Sequence, residues 1–213
     1  MESSEFTKLL DTCQKIATDY PEGIVFIGGI AVYLHSINNS STSKYAEFTH
    51  DADFFISLAD MADLRDNEEV VPNRRLNKHQ IIKNGFSFDI YTERHSSLLV
   101  PFDQIIAHST KYESLKVACL EHLLVLKLAA YEDRQQSTKG QKDAKDIIRL
   151  LIVAASQKKK LNEDLIISYL GDEHLDFIKI IGKSSEFLSL TKGNAHSAKE
   201  LRDIYNKVAK GIL

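Results

Sequence analysis

Cysteine, apolar runs and targeting signals are scarce in this sequence, and each scarcity excludes a class of protein. The 213 residues include two cysteines, Cys13 and Cys119, too few for a disulfide framework, so we expect buried thiols in a reducing compartment. No stretch of 18 apolar residues occurs, which excludes a membrane-spanning helix. The first residues, MESSEFTKLLDTC, lack a basic segment followed by an apolar core. The prediction is a cytoplasmic protein with no membrane partner.

Charge is nearly balanced, which excludes a globally basic nucleic-acid binder. Lys and Arg number 27 and Asp and Glu number 30, for a formal net charge of −3. Residues 1–110 have 9 basic and 16 acidic side chains, whereas residues 111–213 have 18 and 14. We therefore expect no DNA partner. A local basic face around Lys158, Lys159 and Lys160 stays open beside the alternative of a solvated lysine run.

The apolar pattern changes near residue 118, and no proline-rich or glycine-serine linker marks the change. Before it, alternation and β-branched runs predict an N-terminal helix and several strands, over residues 3–18, 24–27, 51–56, 79–82, 86–91 and 115–117. After it, the apolar spacing predicts helices over residues 120–134, 144–156, 163–170, 173–181 and 197–213. We predict an α/β domain over residues 1–118 and a helical domain over residues 119–213, with a cleft between them.

A glycine pair, Gly28-Gly29, lies between the first strand and a helix start. Glycines at such a turn let a phosphate approach the backbone, and the first turn of a helix offers N–H donors to an anion. The alternative is a tight turn without a ligand. No Gly-Lys-Ser/Thr follows and no third glycine has the dinucleotide-binding spacing, so the pair is neither a Walker A loop nor a Rossmann fingerprint.

Three aspartates lie on predicted strands. Asp51 and Asp53 are two residues apart, so their carboxylates point to one face of a strand and suit Mg²⁺, although two solvated acids on an edge strand remain an alternative. Asp89 takes the polar face of a strand whose other face holds Phe86 and Phe88. Three such carboxylates with a Gly-Gly turn would build a two-metal site for phosphoryl or nucleotidyl transfer.

Lys127 interrupts the apolar stripe of the predicted helix over residues 120–134. A lysine there either extends along the apolar surface to solvent or reaches into a cleft to meet an anion. Asp143 and Asp146 follow one turn apart at the start of the next predicted helix, where capping alone explains acidic residues.

Together these motifs resemble the DNA polymerase β-like nucleotidyltransferase superfamily. The resemblance rests on Gly28-Gly29, on Thr49-His50-Asp51-Ala52-Asp53 and on Asp89. The helix with Lys127 and the following Lys142-Asp143-Ala144-Lys145-Asp146 resemble the abortive-infection AbiE-type toxin branch. The resemblance covers about residues 24–150, and the polar insert 38–47 makes the spacing to Asp51 longer than in compact members.

The resemblance implies a fold and a role for each candidate site residue. The fold would be a minimal mixed sheet flanked by helices, followed by a helical bundle. Gly28 and Gly29 would hold the triphosphate of an NTP, and Asp51 and Asp53 would bind Mg²⁺ or Mn²⁺. Asp89 would complete the metal site and help deprotonate the acceptor hydroxyl. Lys127 would contact the triphosphate, and Asp146 would orient Lys127 or bind the nucleotide.

The resulting hypothesis is a metal-dependent transfer of a nucleoside monophosphate from an NTP to a hydroxyl. The toxin resemblance suggests an RNA or tRNA end as acceptor, and a cognate antitoxin as partner. One alternative is an antibiotic-type nucleotidyltransferase with a small-molecule acceptor. The other is a non-catalytic nucleotide- or RNA-binding interaction protein on the same scaffold, since some relatives have lost catalysis.

Overall fold

The computed structural model describes residues 2–94, 96–157 and 160–213, so Lys158 and Lys159 of the candidate basic face lie outside the described residues. The chain forms two compact units. An α/β unit comprises the residues up to Tyr33 together with Glu47–Cys119, and a helical unit comprises Leu34–Ala46 with Leu120–Leu213. No helix of the described residues has the length and apolarity to cross a bilayer.

The described residues of the α/β unit form one mixed sheet of seven strands in the order β3-β4-β5-β2-β1-β7-β6. The β2–β5 and β1–β7 pairs are parallel and the other neighbours are antiparallel. The strands are β1 Ile24–Ile27, β2 Asp51–Ile56, β3 Val71–Asn73, β4 Lys78–Lys83, β5 Phe86–Tyr91, β6 Thr110–Tyr112 and β7 Leu115–Val117. The predicted α/β class, with a mixed sheet and a helical region after it, is confirmed.

Alternation along β2 and β5 puts a row of buried aromatic rings on one face of the sheet and the aspartates on the other. Phe26, Phe54 and Phe88 lie on neighbouring strands with no solvent exposure, and their ring centroids are 5.7 and 6.3 Å apart. Residues two apart share a face, so the positions between these rings point to the opposite side. That opposite side holds Asp53 and Asp89.

Helices α1 (Ser3–Asp19), α3 (Leu58–Asn67) and α4 (Phe102–Ala107) belong to the α/β unit. The apolar stripe of α1 is buried at Phe6, Leu9, Cys13 and Ile16, as the periodicity predicts. Both cysteines are free and buried, and burial raises the pKa of the Cys13 thiol to about 12. A further helix, α2 (Gly28–Ile37), begins directly after β1 and continues into the helical unit.

Two short edge strands, β3 and β6, were not predicted from the pattern. Pro72 lies within β3, and proline favours a loop in a sequence reading because it has no N–H to donate. The strand exists because an edge position leaves one side of the backbone without a ladder partner, where proline is tolerated.

The helical unit is built around α6. The described helices of this unit that follow residue 119 are α5 Leu120–Arg134, α6 Thr138–Ser156, α7 Asp164–Ile167, α8 Asp172–Ile181, α9 Glu186–Leu190 and α10 Ala195–Ala209. Helix α6 begins six residues before its predicted start because the Ser137 hydroxyl accepts from the Gly140 N–H at 3.1 Å. The segment predicted as a helix over 163–170 is a single turn, α7.

The polar insert, apart from Glu47, folds with the helical unit. Residues Leu34–Ala46 belong to that unit, and the Tyr45 carbonyl accepts a hydrogen bond from Arg149 Nε of α6 at 2.7 Å. The longer spacing between the glycine pair and Asp51 therefore corresponds to a segment with its own packing partners.

Candidate active site

Strand register brings the three predicted aspartates to one face of the α/β sheet. Asp53 of β2 is the register partner of Asp89 on the parallel strand β5, and Asp51 is the partner of Ser87. Register partners point to the same face, as do residues two apart on one strand. Asp51, Asp53 and Asp89 consequently form a row of carboxylates across neighbouring strands.

The glycine pair lies beside this row. Asp53 also pairs with Ile27, the last residue of β1, and Gly28 follows with φ +70°. A Cβ on Gly28 would lie 2.2 Å from Asp53 Oδ2, so the carboxylate packs directly against the glycine backbone. Only glycine meets both the left-handed φ and this close approach without strain. The first turn of α2 is thus placed next to Asp53.

Thr49 supports the other end of the row. Its hydroxyl donates to Asp51 Oδ1 at 2.8 Å, and a Cβ on Gly29 would lie 2.8 Å from the same hydroxyl. Thr49 is buried, whereas Asp51 is exposed and Asp53 is partly exposed. The Asp51 carboxylate is therefore oriented by a fixed hydroxyl and reachable from solvent.

Asp89 has two partners on β4 that the sequence reading missed. Lys78 Nζ donates to Asp89 Oδ2, and Gln80 Nε2 donates to Asp89 Oδ1 at 2.7 Å. Gln80 is the register partner of Asp89 in the antiparallel β4–β5 hairpin. The Asn84-Gly85 turn between these strands was a usable signal, because a two-residue turn fixes hairpin register and so predicts this pairing.

The aspartates differ in their fitness for a divalent cation. Mg²⁺ and Mn²⁺ prefer oxygen ligands, and Asp51 and Asp53 provide carboxylate oxygens on one face beside the glycine turn. Asp89 instead directs each of its oxygens at an N–H donor. Within the described ranges, no group of three or more His, Cys, Asp or Glu side chains is arranged to hold a metal ion. Of the three aspartates, Asp51 and Asp53 are the pair whose donor chemistry suits a divalent cation.

Lys127 and Asp146 lie in the helical unit, in a buried ionic network. Lys127 Nζ is 2.7 Å from Asp146 Oδ2 and 3.2 Å from Asp143 Oδ1. Arg149 Nη1 donates to Asp146 Oδ1 at 2.7 Å, and Arg134 Nε donates to Asp143 Oδ2 at 2.6 Å. Lys127, Asp143, Asp146 and Arg149 are each less than 9% exposed. This network holds Lys127 in place between two carboxylates.

The network also sets the protonation of Asp146. Burial by itself would raise the pKa of the Asp146 carboxyl, but the charges of Lys127 and Arg149 outweigh burial and hold the pKa below its ordinary range. Asp146 is therefore ionised at neutral pH and forms charged pairs with both neighbours.

No protein-family model and no curated protein sequence matches the chain. Solved structures do resemble it. An antigenic nucleotidyltransferase-like protein from Paracoccidioides brasiliensis is 16% identical, with a TM-score of 0.52 over 99% of this chain and 94% of that one. The Helicobacter pylori protein JHP933 is also 16% identical, with a TM-score of 0.51 over 100% and 94%.

A third similar structure is the Megavirus polyadenylate synthase, which is 15% identical. Its TM-score is 0.51, over 86% of this chain and 38% of the viral chain. At these identities the likeness concerns architecture. The chain has the fold of nucleotidyltransferase-like proteins.

Proposed function

We propose that this protein transfers a nucleoside monophosphate from an NTP to an acceptor hydroxyl. The observation that carries the proposal is the strand register, which puts Asp53 opposite Asp89, with Asp51 on the same face and the Gly28-Gly29 helix start alongside. In a nucleotidyltransferase-like fold, this is a row of carboxylates next to a place where a helix N-terminus can receive phosphate.

Asp51 and Asp53 are proposed to hold Mg²⁺ or Mn²⁺. When bound, such a cation polarises a phosphoryl oxygen and neutralises charge that develops during transfer. Thr49 orients Asp51 through its hydroxyl, and the glycine backbone lets Asp53 stand against the start of α2. The first-turn N–H groups of α2 would bind the phosphate chain, as anions at helix N-termini do.

Asp89 is the residue we propose to act on the acceptor. It would complete the cation site or accept the proton of the acceptor hydroxyl, and its carboxylate is oriented by Lys78 and Gln80. Lys127 and Asp146 are proposed nucleotide contacts on the strength of the family resemblance. Their burial and full ionic pairing favour a supporting role within the helical unit.

An RNA or tRNA end is the proposed acceptor, in a toxin–antitoxin-like system with a cognate antitoxin. The resemblance to the AbiE-type toxin branch supports this choice, and one similar structure is a polyadenylate synthase. The competing proposal is the same nucleotidyl transfer to the hydroxyl of a small molecule.

The test incubates purified protein with each of the four α-labelled NTPs, Mg²⁺ or Mn²⁺, and total RNA. We expect labelled RNA, with Asp53→Asn lowering the labelling rate by at least about 10³-fold, because a metal ligand contributes several kcal/mol to phosphoryl transfer. Asp66→Asn, at an exposed position of α3, is the matched control and should label as wild type does.

Three outcomes separate the hypotheses. Labelled RNA lost in Asp53→Asn supports transfer to RNA. Label that appears only in a low-molecular-weight metabolite fraction supports a small-molecule acceptor. Absence of any labelled product with all four NTPs and both metals contradicts the proposed transfer and favours a non-catalytic binding protein.

A further inference from the structure

The environment of Asp89 combines charge neutralisation with rigidity. Lys78 Nζ contacts one carboxylate oxygen and Gln80 Nε2 contacts the other. The Lys78 side chain is 11% exposed and that of Asp89 is 16% exposed, so water competes little for the pair. An ion pair in such surroundings is stronger than one on the surface.

The chain fixes the position of Lys78 through the turn that precedes it. Asn73 Oδ1 accepts from the Leu76 N–H at 3.2 Å, and Asn77 takes a left-handed φ of 48° before β4 begins at Lys78. Asn73 Nδ2 also donates to Gln80 Oε1 at 3.4 Å, which directs the Gln80 amide nitrogen toward Asp89. Lys78 and Gln80 are thus held on the Asp89 face of the sheet.

This arrangement leaves a poor place for a second divalent cation. Such a cation would need a carboxylate oxygen of Asp89 at about 2.0–2.2 Å, with its positive charge close to the ammonium that contacts the same group. The amide N–H on the other oxygen also turns its positive end toward an incoming cation. Two-metal sites place cations about 4 Å apart between shared carboxylates. Here a lysine already neutralises the carboxylate of Asp89, which the second cation would need.

We propose that the Lys78 ammonium is a built-in cation at Asp89, so that the site takes one divalent cation, at Asp51 and Asp53, rather than two. The inference rests on the proposed nucleotidyl transfer. Lys78 is then a positioning residue. It holds the Asp89 carboxylate in one orientation for the acceptor hydroxyl and supplies fixed positive charge beside the reacting phosphate.

The test counts Mn²⁺ ions by electron paramagnetic resonance, in the presence of a non-hydrolysable NTP analogue, so it requires no turnover. We expect one tight Mn²⁺ per wild-type chain, with any second ion at least 100-fold weaker. Lys78→Met removes the charge at similar volume and should bring the second Mn²⁺ to within tenfold of the first. Lys78→Arg keeps the positive charge of the side chain, so this variant should still bind one tight Mn²⁺.

Controls separate this effect from general loss of a lysine or of folding. Lys83→Met removes another ion-paired lysine of β4, whose partner is Glu68, and should leave the count at one. The double variant Lys78→Met/Asp89→Asn should also bind one tight Mn²⁺, because the second ion needs the Asp89 carboxylate. If Lys78→Met does not fold, by circular dichroism, Lys78→Gln takes its place in the same titration.

The contrary results are distinct from one another. Two tight Mn²⁺ ions in the wild type, or a single ion in both wild type and Lys78→Met, would overturn the inference and leave nucleotidyl transfer standing. No Mn²⁺ binding with nucleotide in any variant would overturn both the inference and the metal-dependent function on which it rests.

Discussion

In the helical unit, Asp143 and Asp146 are almost inaccessible to solvent and contact three basic side chains, Lys127, Arg134 and Arg149. In the α/β unit, Asp51 is exposed, Asp53 is partly exposed, and Asp89 is held by one lysine and one amide. Of these aspartates, Asp51, Asp53, Asp89 and Asp146 were selected from the sequence as site residues, whereas capping alone accounted for Asp143. The comparison teaches that residue type alone does not distinguish the two groups: solvent reaches the aspartates of the α/β unit, whereas those of the helical unit are buried against basic side chains.

The two environments predict different consequences of mutation. Removing one partner from a buried ionic network leaves an uncompensated charge away from water, which is strongly unfavourable. Removing a carboxylate that water reaches breaks no buried ion pair of this kind, so we expect its loss to affect ligand binding first.

The largest expected effect on stability is that of Asp146→Asn. Loss of this carboxylate leaves Lys127 and Arg149 without their shared partner, and we expect the free energy of unfolding to fall by about 3–5 kcal/mol. Asp53→Asn should change it by less than about 1 kcal/mol, since that side chain is partly exposed. Urea titration of both variants measures the difference.

The contrast would be wrong if Asp53→Asn proved as destabilising as Asp146→Asn.

Lys127→Met sharpens the same comparison when the free energy of unfolding and the NTP affinity are measured in parallel. A variant that loses stability but keeps NTP affinity places Lys127 in the supporting network alone, whereas unchanged stability with lost affinity would make it the nucleotide contact that the resemblance implies.

A smaller effect is expected from Gly28→Ala, with Gly85→Ala as its matched control. Both glycines have a left-handed φ, +70° and +82°, so alanine should lower the free energy of unfolding by about 1–2 kcal/mol at Gly85 and by more at Gly28, where the methyl also meets a side chain. Only at Gly28 does the added methyl meet Asp53, whereas a Cβ at Gly85 has no atom within 4 Å. Mn²⁺ affinity should therefore fall in Gly28→Ala and stay at the wild-type value in Gly85→Ala. Equal Mn²⁺ affinity in the two variants would show that the Gly28–Asp53 contact does not position the metal ligand.

The smallest effect is the acid response of the helical network. Because the folded-state pKa of Asp146 is lower than its value of about 3.9 in an unfolded chain, the stabilisation is complete above that value and is lost as pH falls through the folded pKa. We expect the free energy of unfolding of the wild type to decrease below about pH 4. The decrease should be shallower in Asp146→Asn, and parallel curves for the two proteins would contradict the assignment.

Much of the fold was readable from the sequence because local patterns are strong in this chain. The strands over residues 24–27, 51–56, 86–91 and 115–117 have the predicted bounds, since their alternation or β-branched runs match a buried sheet. Boundaries moved where caps decided them, as at Ser137 for α6. The membership of Leu34–Ala46 in the helical unit depends on contacts such as that between Arg149 and Tyr45, which a linear pattern does not show.

The sequence by itself determined which residues could do chemistry: a glycine pair after a strand, an Asp-x-Asp pair whose spacing of two places both carboxylates on one face, and a later strand aspartate. The tertiary structure decided what surrounds them. Strand order and register placed Asp89 opposite Asp53 and brought Lys78 and Gln80 to it, while helix packing buried Lys127 between Asp143 and Asp146. Periodicity along one strand fixes only the face on which a side chain lies, and the partners on that face come from segments that are distant in sequence.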